Sequence, residues 1–351
     1  MFFLMNCIFS ISFAISATFG IQQEWEGISS PLIMGKNLET RFTILPIKGQ
    51  VIKPKKYWSG DYWPLSKGLI NYRWNASSLK SVIAPDKQQA KSWTYEDLKQ
   101  LSPAEKFDLL NGRYWYPFRD EVESNANYNA KRWEGICHGW APASMNHNEP
   151  VAKTLKNRDG ILIPFGSSDI KAILSYFYAY PYQVPDTHQM GRRCEGGMIN
   201  NSEDCRQDLN AGAFHIVMAN RIGIDSNGFI ADMNRYKEVW NHPIIAYDSK
   251  IIKERGIVFH SANGAIRTVR LKTKVSYIDE TKNTWEPVMG TKSQVIKTQE
   301  FKYDLDLNVK GEIIGGQWRS IERPDFLWIK EKPQRYSGNY LRLPELLNDS
   351  I

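Results

Sequence analysis

Apolar positions change their period about midway along the chain. Up to residue 180 they recur at helical spacing behind recognisable start signals, and from residue 213 they alternate or cluster in short runs between turn pairs. Thr94 with Asp97 and Ser102 with Glu105 have the form of capping boxes. The second is followed by Pro103 at the first helical position, and Phe107, Leu109 and Leu110 give it an apolar face. Ala141 to Met145 reads as the opening of a helix with Pro142 in its first turn. Ser168 to Tyr180 is helical by period and stops at Pro181. Strands are expected at 42–47 on an edge, then at 213–222, 229–232, 257–260, 266–277, 301–307 and 313–318, with Asp225-Ser226-Asn227-Gly228 and Lys310-Gly311 as turns. Helices first and an antiparallel sheet second make an α+β fold.

The first 20 residues carry no charged side chain, and their apolar run is too short to span a bilayer. They read as a secretory signal peptide although the usual basic start is missing. No later run is long enough for stable membrane insertion. The expected organisation is therefore a signal peptide at 1–20, an amino-terminal arm at 21–92 packed on the core, and a catalytic domain at 93–351, secreted to the cell exterior or periplasm or held at the cell wall. The net charge of +7 contains no block of like charges and no nucleic-acid motif, so it reads as a solvated surface rather than a nucleic-acid interface. Aromatic content of 13% suits a sheet-rich protein or an aromatic groove.

Once Cys7 leaves with the signal peptide, Cys137, Cys194 and Cys205 remain. Cys194 and Cys205 flank a polar loop and would form a disulfide worth ~3 kcal/mol in an oxidising compartment. Cys137 is then the odd thiol, and the absence of paired CxxC spacing argues against a structural zinc site. Cys137 follows a glycine-containing turn and precedes the expected helix, where unpaired N–H groups and the helix dipole favour thiolate. A small buried hydrophobe is the plain alternative.

His215 near the start of one expected strand and Asp232 near the end of the next would lie side by side in a hairpin. A Cys137-His215-Asp232 triad follows, in which the imidazole takes the thiol proton and the carboxylate steadies the imidazolium. His138 is a rival base, and Asn234 and Asn241 are rival third members. The backbone N–H of Cys137 and the Trp133 indole are the candidate oxyanion donors, with Trp140 and Asn241 completing the substrate groove. Lys131 stands six residues before the cysteine, where papain-like proteases place a glutamine.

Taken together, Arg132 to Ala143, Gly212-Ala213-Phe214-His215-Ile216-Val217 and Val239-Trp240-Asn241-His242-Pro243 resemble the transglutaminase elicitor family, known from secreted oomycete cell-wall proteins and with bacterial relatives. Supporting pieces extend the resemblance from about residue 58 to 330. It implies a papain-like core with the cysteine on a helix N-terminus and His and Asp on adjacent antiparallel strands. It also implies protein-glutamine γ-glutamyltransferase activity through a thioester on Cys137, with a glutamine-bearing protein and a lysine or polyamine amine as partners. Aromatic walls would keep water from the thioester. Family members use calcium, so calcium is the cofactor the resemblance implies, although no EF-hand loop is present. A cysteine peptidase or glutamine deamidase on the same core, and a non-catalytic cell-wall or host-binding protein, are the alternatives.

Overall fold

The computed structural model describes residues 25, 27–53, 55–77, 83–180, 187–194, 209–258 and 261–347. Both predicted capping boxes form: Thr94 Oγ1 accepts from the Asp97 N–H and Ser102 Oγ from the Glu105 N–H. They start helices α2 (Tyr95–Lys99) and α3 (Pro103–Leu110), which follow α1 (Lys87–Ser92) and precede α4 (Pro117–Ser124). Helix α5 (Cys137–Asn146) begins at the cysteine itself, earlier than expected, so that Pro142 sits inside it. Helix α6 (Ser167–Ala179) matches the helical period of its sequence, and the small two-stranded sheet β2 (Lys153–Lys156) with β3 (Leu162–Phe165) precedes it.

The main sheet has eight strands. In spatial order they run β4 (Thr187–Gly191), β10 (Phe326–Lys330), β5 (Phe229–Asp232), β6 (Asn241–Arg255), β7 (Arg267–Ile278), β8 (Ile296–Leu307) and β9 (Ile313–Trp318), with β1 (Lys48–Gln50) also paired to β6. All pairings are antiparallel. The arm strand lies at Lys48–Gln50 rather than 42–47, because Phe42 and Leu45 turn inward ahead of Pro46. Residues 257–258 are not in a strand, and 259–260 lie outside the described residues.

One expectation fails at a position that matters. Residues 213–222 are not a strand: helix α7 (Ala211–Met218) occupies most of them and runs on into a π-helical turn at Ala219–Ile224. Asn210 caps it, its Oδ1 accepting from the Gly212 N–H at 2.8 Å. Every residue of α7 is buried, so its apolar run has no solvent face and reads in sequence like a buried strand.

The sheet divides two cores, since side chains alternate across it. Ile230, Phe326 and Trp328 face the helical layer that holds Cys137. Phe229, Ala231 and Leu327 face the other way, toward α7. Residues of 21–92 enter both cores, Trp58 and Trp63 buried completely in the helical one and Met34, Phe42 and Leu45 in the other. Among the described residues no helix is long and apolar enough to cross a membrane; the expected leader at 1–20 and Cys205, and with it the expected pairing to Cys194, lie outside them.

Candidate active site around Cys137

Cys137 is held from two sides. The arm pins the turn before it: Pro64 bridges Gly135, Tyr62 O accepts from the Ile136 N–H at 2.7 Å, and Glu134 O accepts from the Leu65 N–H at 2.9 Å. A Cβ on Gly135 would meet Tyr62 O at 2.5 Å, so only glycine lets the two segments lie this close. Behind the cysteine, α5 crosses α6 at Gly139, where a Cβ would stand 2.0 Å from Ser175 O. Ile136, at the N-cap position, offers no side-chain cap, so the helix N-terminus stays available to an acceptor.

The sulfur meets the start of β6. Asn241 Nδ2 donates to Cys137 Sγ at 3.4 Å, and its backbone N–H also points there. The Asn241 amide is oriented in turn by Trp328 Nε1, which donates to Asn241 Oδ1 at 2.8 Å. On its other side the thiol donates to Val239 O at 3.8 Å. Cys137 is the free cysteine of the described residues and only 4% exposed. Burial, partly offset by Asn241 and reinforced by the charges of Glu280 and Asp232, pushes its thiol up to about 11. The helix N-terminus therefore does not produce a resting thiolate here; desolvation wins.

Asp232 ends β5 directly opposite Asn241 and is fully buried. Neither carboxylate oxygen has a hydrogen bond of full geometry, although the backbone N–H groups of Asn234 and Trp240 lie near. Burial first, and then the charge of Asp325, holds this carboxyl well above the usual range. Glu280, just past β7, acts electrostatically on both Cys137 and Tyr62. Its Oε1 is buried without a partner, and burial with the neighbouring Asp279 raises its carboxyl far above the carboxylate range. Glu280 and Tyr62 were not legible as site residues; the Asp279-Glu280 pair at a strand end is their only sequence trace.

His215 is the correction. It lies on α7, on a helix and not a strand, with the sheet between it and Cys137. Its Nδ1 pairs with Tyr303 Oη at 2.8 Å, its ring leans on Phe42, and none of its contacts is to Cys137 or Asp232. Burial pushes it down to about 3, so it is a neutral core histidine. His138 is exposed and its charged neighbour is Lys330. Asn234 closes a turn by accepting from the Tyr236 N–H at 2.9 Å. Trp140 is fully buried rather than groove-lining, Trp133 sits half-buried in the turn before the cysteine, and Asn241 is where a site residue was expected. The loop 233–240 roofs the sulfur: Trp240 packs edge-on against Tyr62 at 5.2 Å, and a surface depression opens beside it between Asn234, Tyr236, Lys237 and Glu238.

Among the described residues one group of potential metal ligands converges, His242, Asp279 and Glu280, with ligand atoms within 4.8 Å of one another. It does not suit calcium. Calcium takes six to eight oxygens, whereas here one donor is a nitrogen turned to Ile278 O at 3.2 Å and the Lys297 ammonium already holds Asp279.

A family model described as transglutaminase elicitor matches residues 118–340. Among solved structures the chain is similar to the GP42 transglutaminase from Phytophthora sojae, at 24% identity and a TM-score of 0.70, over 91% of this chain and 96% of that one. No curated protein matches significantly.

Proposed function

The chain belongs to the transglutaminase elicitor family, and from that premise we propose that it is an exported acyltransferase that uses Cys137 to move the acyl group of a protein glutamine onto an amine. The observation that carries the reading is the one free thiol among the described residues, at the first residue of a helix, hydrogen-bonded to Asn241 and within the field of two carboxyl groups of raised affinity for protons. The proton acceptor in this reading is a carboxylate, Glu280 or Asp232, in place of His215. An ordinary carboxylate is a poor base for a thiol pushed to about 11. Carboxyls raised by burial narrow that mismatch, but each accepts a proton only once ionised: Glu280, raised to about 9, is mostly protonated at neutral pH, so turnover by this route climbs as pH rises.

The reaction balances as two displacements. The carboxylate takes the thiol proton as Sγ attacks the side-chain amide carbon of glutamine, and negative charge on the amide oxygen turns to the open helix N-terminus. The C–N bond breaks, the carboxyl proton leaves with ammonia, and a thioester remains on Cys137. An amine then attacks, the carboxylate receives its proton, and the C–S bond breaks to give an isopeptide and the restored thiol. Asn241 and Trp328 position the sulfur, and the loop 233–240 must lift to admit either substrate. Export by the leader at 1–20 and a Cys194–Cys205 bridge belong to the same proposal.

A second reading, a binding protein without turnover, is favoured by the depth of the sulfur and by its bond to Val239 O. Hydroxylamine with a glutamine donor peptide separates the readings. Hydroxamate formed by the native protein and lost in Cys137→Ala supports acyl transfer. Cleaved peptide in its place indicates a peptidase, released ammonia without hydroxamate a deamidase, and silence in all three the binding protein.

A further inference from the structure

The helical layer covers only one end of the sheet face it packs on, where Ile230, Trp328 and Ile278 lie. Across β6 to β9 no helix among the described residues packs on the same face; Ser261 and Ala262 lie over Thr268 and Asp306 at its far end, and most of its lysines stand exposed. There Leu271, Tyr303 and Leu305 point back toward α7, and the residues between them point outward. Those outward positions bring together Lys250 and Lys253 of β6, Lys272 and Lys274 of β7, Lys302 of β8 and Arg319 beside the end of β9. Lys250, Lys253, Lys274 and Lys302 are exposed, and among the described residues they enter no ion pair.

A fixed cation cluster stands in their midst. Arg255, Arg270 and Arg319 all donate to the buried Asp304 carboxylate, at 3.0, 2.6 and 2.8 Å. Burial works to raise that carboxyl, but the Arg270 and Arg319 guanidiniums outweigh it and hold it below the usual range. One carboxylate cannot neutralise three guanidiniums. The cluster keeps a positive excess, and Arg255 Nε is buried without an acceptor. Neighbouring strands stand about 4.8 Å apart and same-face residues about 7 Å apart along a strand, so these cations form a flat grid. A groove lined by Lys48, Gln50, Asp248, Lys274 and Ser276 prolongs it toward β1.

We propose that the outward face of β6 to β9 docks a carboxylated polysaccharide, with the Arg255, Arg270 and Arg319 cluster as anchor and the lysines as a salt-sensitive rim. Asp248 and Glu300 interleave with the lysines, which suits a chain of spaced charges better than the dense phosphates of a duplex. The outward positions present no aromatic ring on which bases would stack.

The test uses the full chain on immobilised polygalacturonate, with neutral dextran and random-sequence duplex DNA in parallel. Retention on polygalacturonate at low salt, falling steeply as salt rises and absent on dextran, is expected. The triple variant Lys250→Glu, Lys274→Glu, Lys302→Glu should bind at least about tenfold more weakly with an unchanged thermal transition. Should it fail to fold, the pair Lys253→Glu and Lys274→Glu carries the same expectation. No retention at low salt, equal retention of a folded variant, or duplex DNA bound as tightly as polygalacturonate overturns the proposal. Hydroxamate formation is unaffected by these substitutions, so the outcome stands apart from the fate of the acyltransferase reading.

Discussion

At the scale of the residue, the position of Cys137 was written in the sequence as a glycine turn running into a helix, but its chemistry was not. Where a sulfur ends relative to solvent depends on Val239, Asn241 and Glu280, which are distant in sequence and carry no spacing motif. With the thiol pushed to about 11, alkylation of the native protein by iodoacetamide should be slow at pH 7 and climb toward that value, whereas an exposed thiol levels off near 9. Peptide-mapped labelling against pH reads this directly, and a plateau below pH 8 contradicts it. The carboxyls beside the sulfur make a second prediction. Both are raised, so the stability they lend is present below the ordinary carboxyl pKa and is lost as pH rises. At neutral pH Glu280 is then a stability liability, and the proposed acyl transfer gives it a use as proton acceptor. Glu280→Gln should gain about 1–2 kcal/mol in urea unfolding at pH 8 and lose about a hundredfold or more in hydroxamate turnover. A variant that loses neither or both removes Glu280 from the site.

Elements were legible where local chemistry decides them and illegible where burial does. Capping boxes placed α2 and α3 because the partners are three residues apart, and the helical period placed α6. Strand β6 escaped notice: Pro243 near its start breaks the usual strand signal, and its charged second half alternates toward solvent. The misreading of α7 carried the largest consequence, since a helix wholly inside the protein has no polar face to betray its period, and the error put His215 on the wrong side of the sheet. The junction of α5 and α6 is tested by a single methyl. Gly139→Ala sets a Cβ against the Ser175 carbonyl and the Ala179 backbone. Backbone on both sides cannot yield cheaply, so a loss of about 2–3 kcal/mol is expected in urea unfolding, together with faster labelling of Cys137 as the helix N-terminus is displaced. An unchanged unfolding midpoint would mean that the two helices are not held this closely.

Across the whole molecule the sheet separates the core that holds the Cys137 thiol from the core that holds His215, and burial sets their pH dependence in opposite directions. On the α7 side His215 is pushed down to about 3, and His242, its ring tilted against that of Tyr277, to about 4, in both cases mainly by burial. A depressed folded pKa gives stability that is complete above the ordinary histidine value near 6.5 and is lost as pH falls through the folded value. On the helical side the raised thiol does the reverse: its contribution is intact below 9 and is lost between 9 and about 11. Burial of neutral Asp232 and Glu280 offsets part of the acid limb, since protonation suits them. Between 6.5 and 4.5 the two pairs pull in opposite directions, and below 4.5, where both carboxyls are protonated in either state, only the histidines still titrate. Melting temperature plotted against pH should therefore show a plateau between about 4.5 and 6.5, with a fall below it as the histidines alone titrate and a fall above it as Glu280 and Asp232 ionise. His215→Gln isolates the argument: it lowers the plateau by about 1–3 kcal/mol through the lost Tyr303 bond, yet flattens the acid limb and leaves the pH dependence of Cys137 alkylation unchanged. A shift of that alkylation profile in His215→Gln would restore the imidazole to the thiol's surroundings and undo the separation of the two cores.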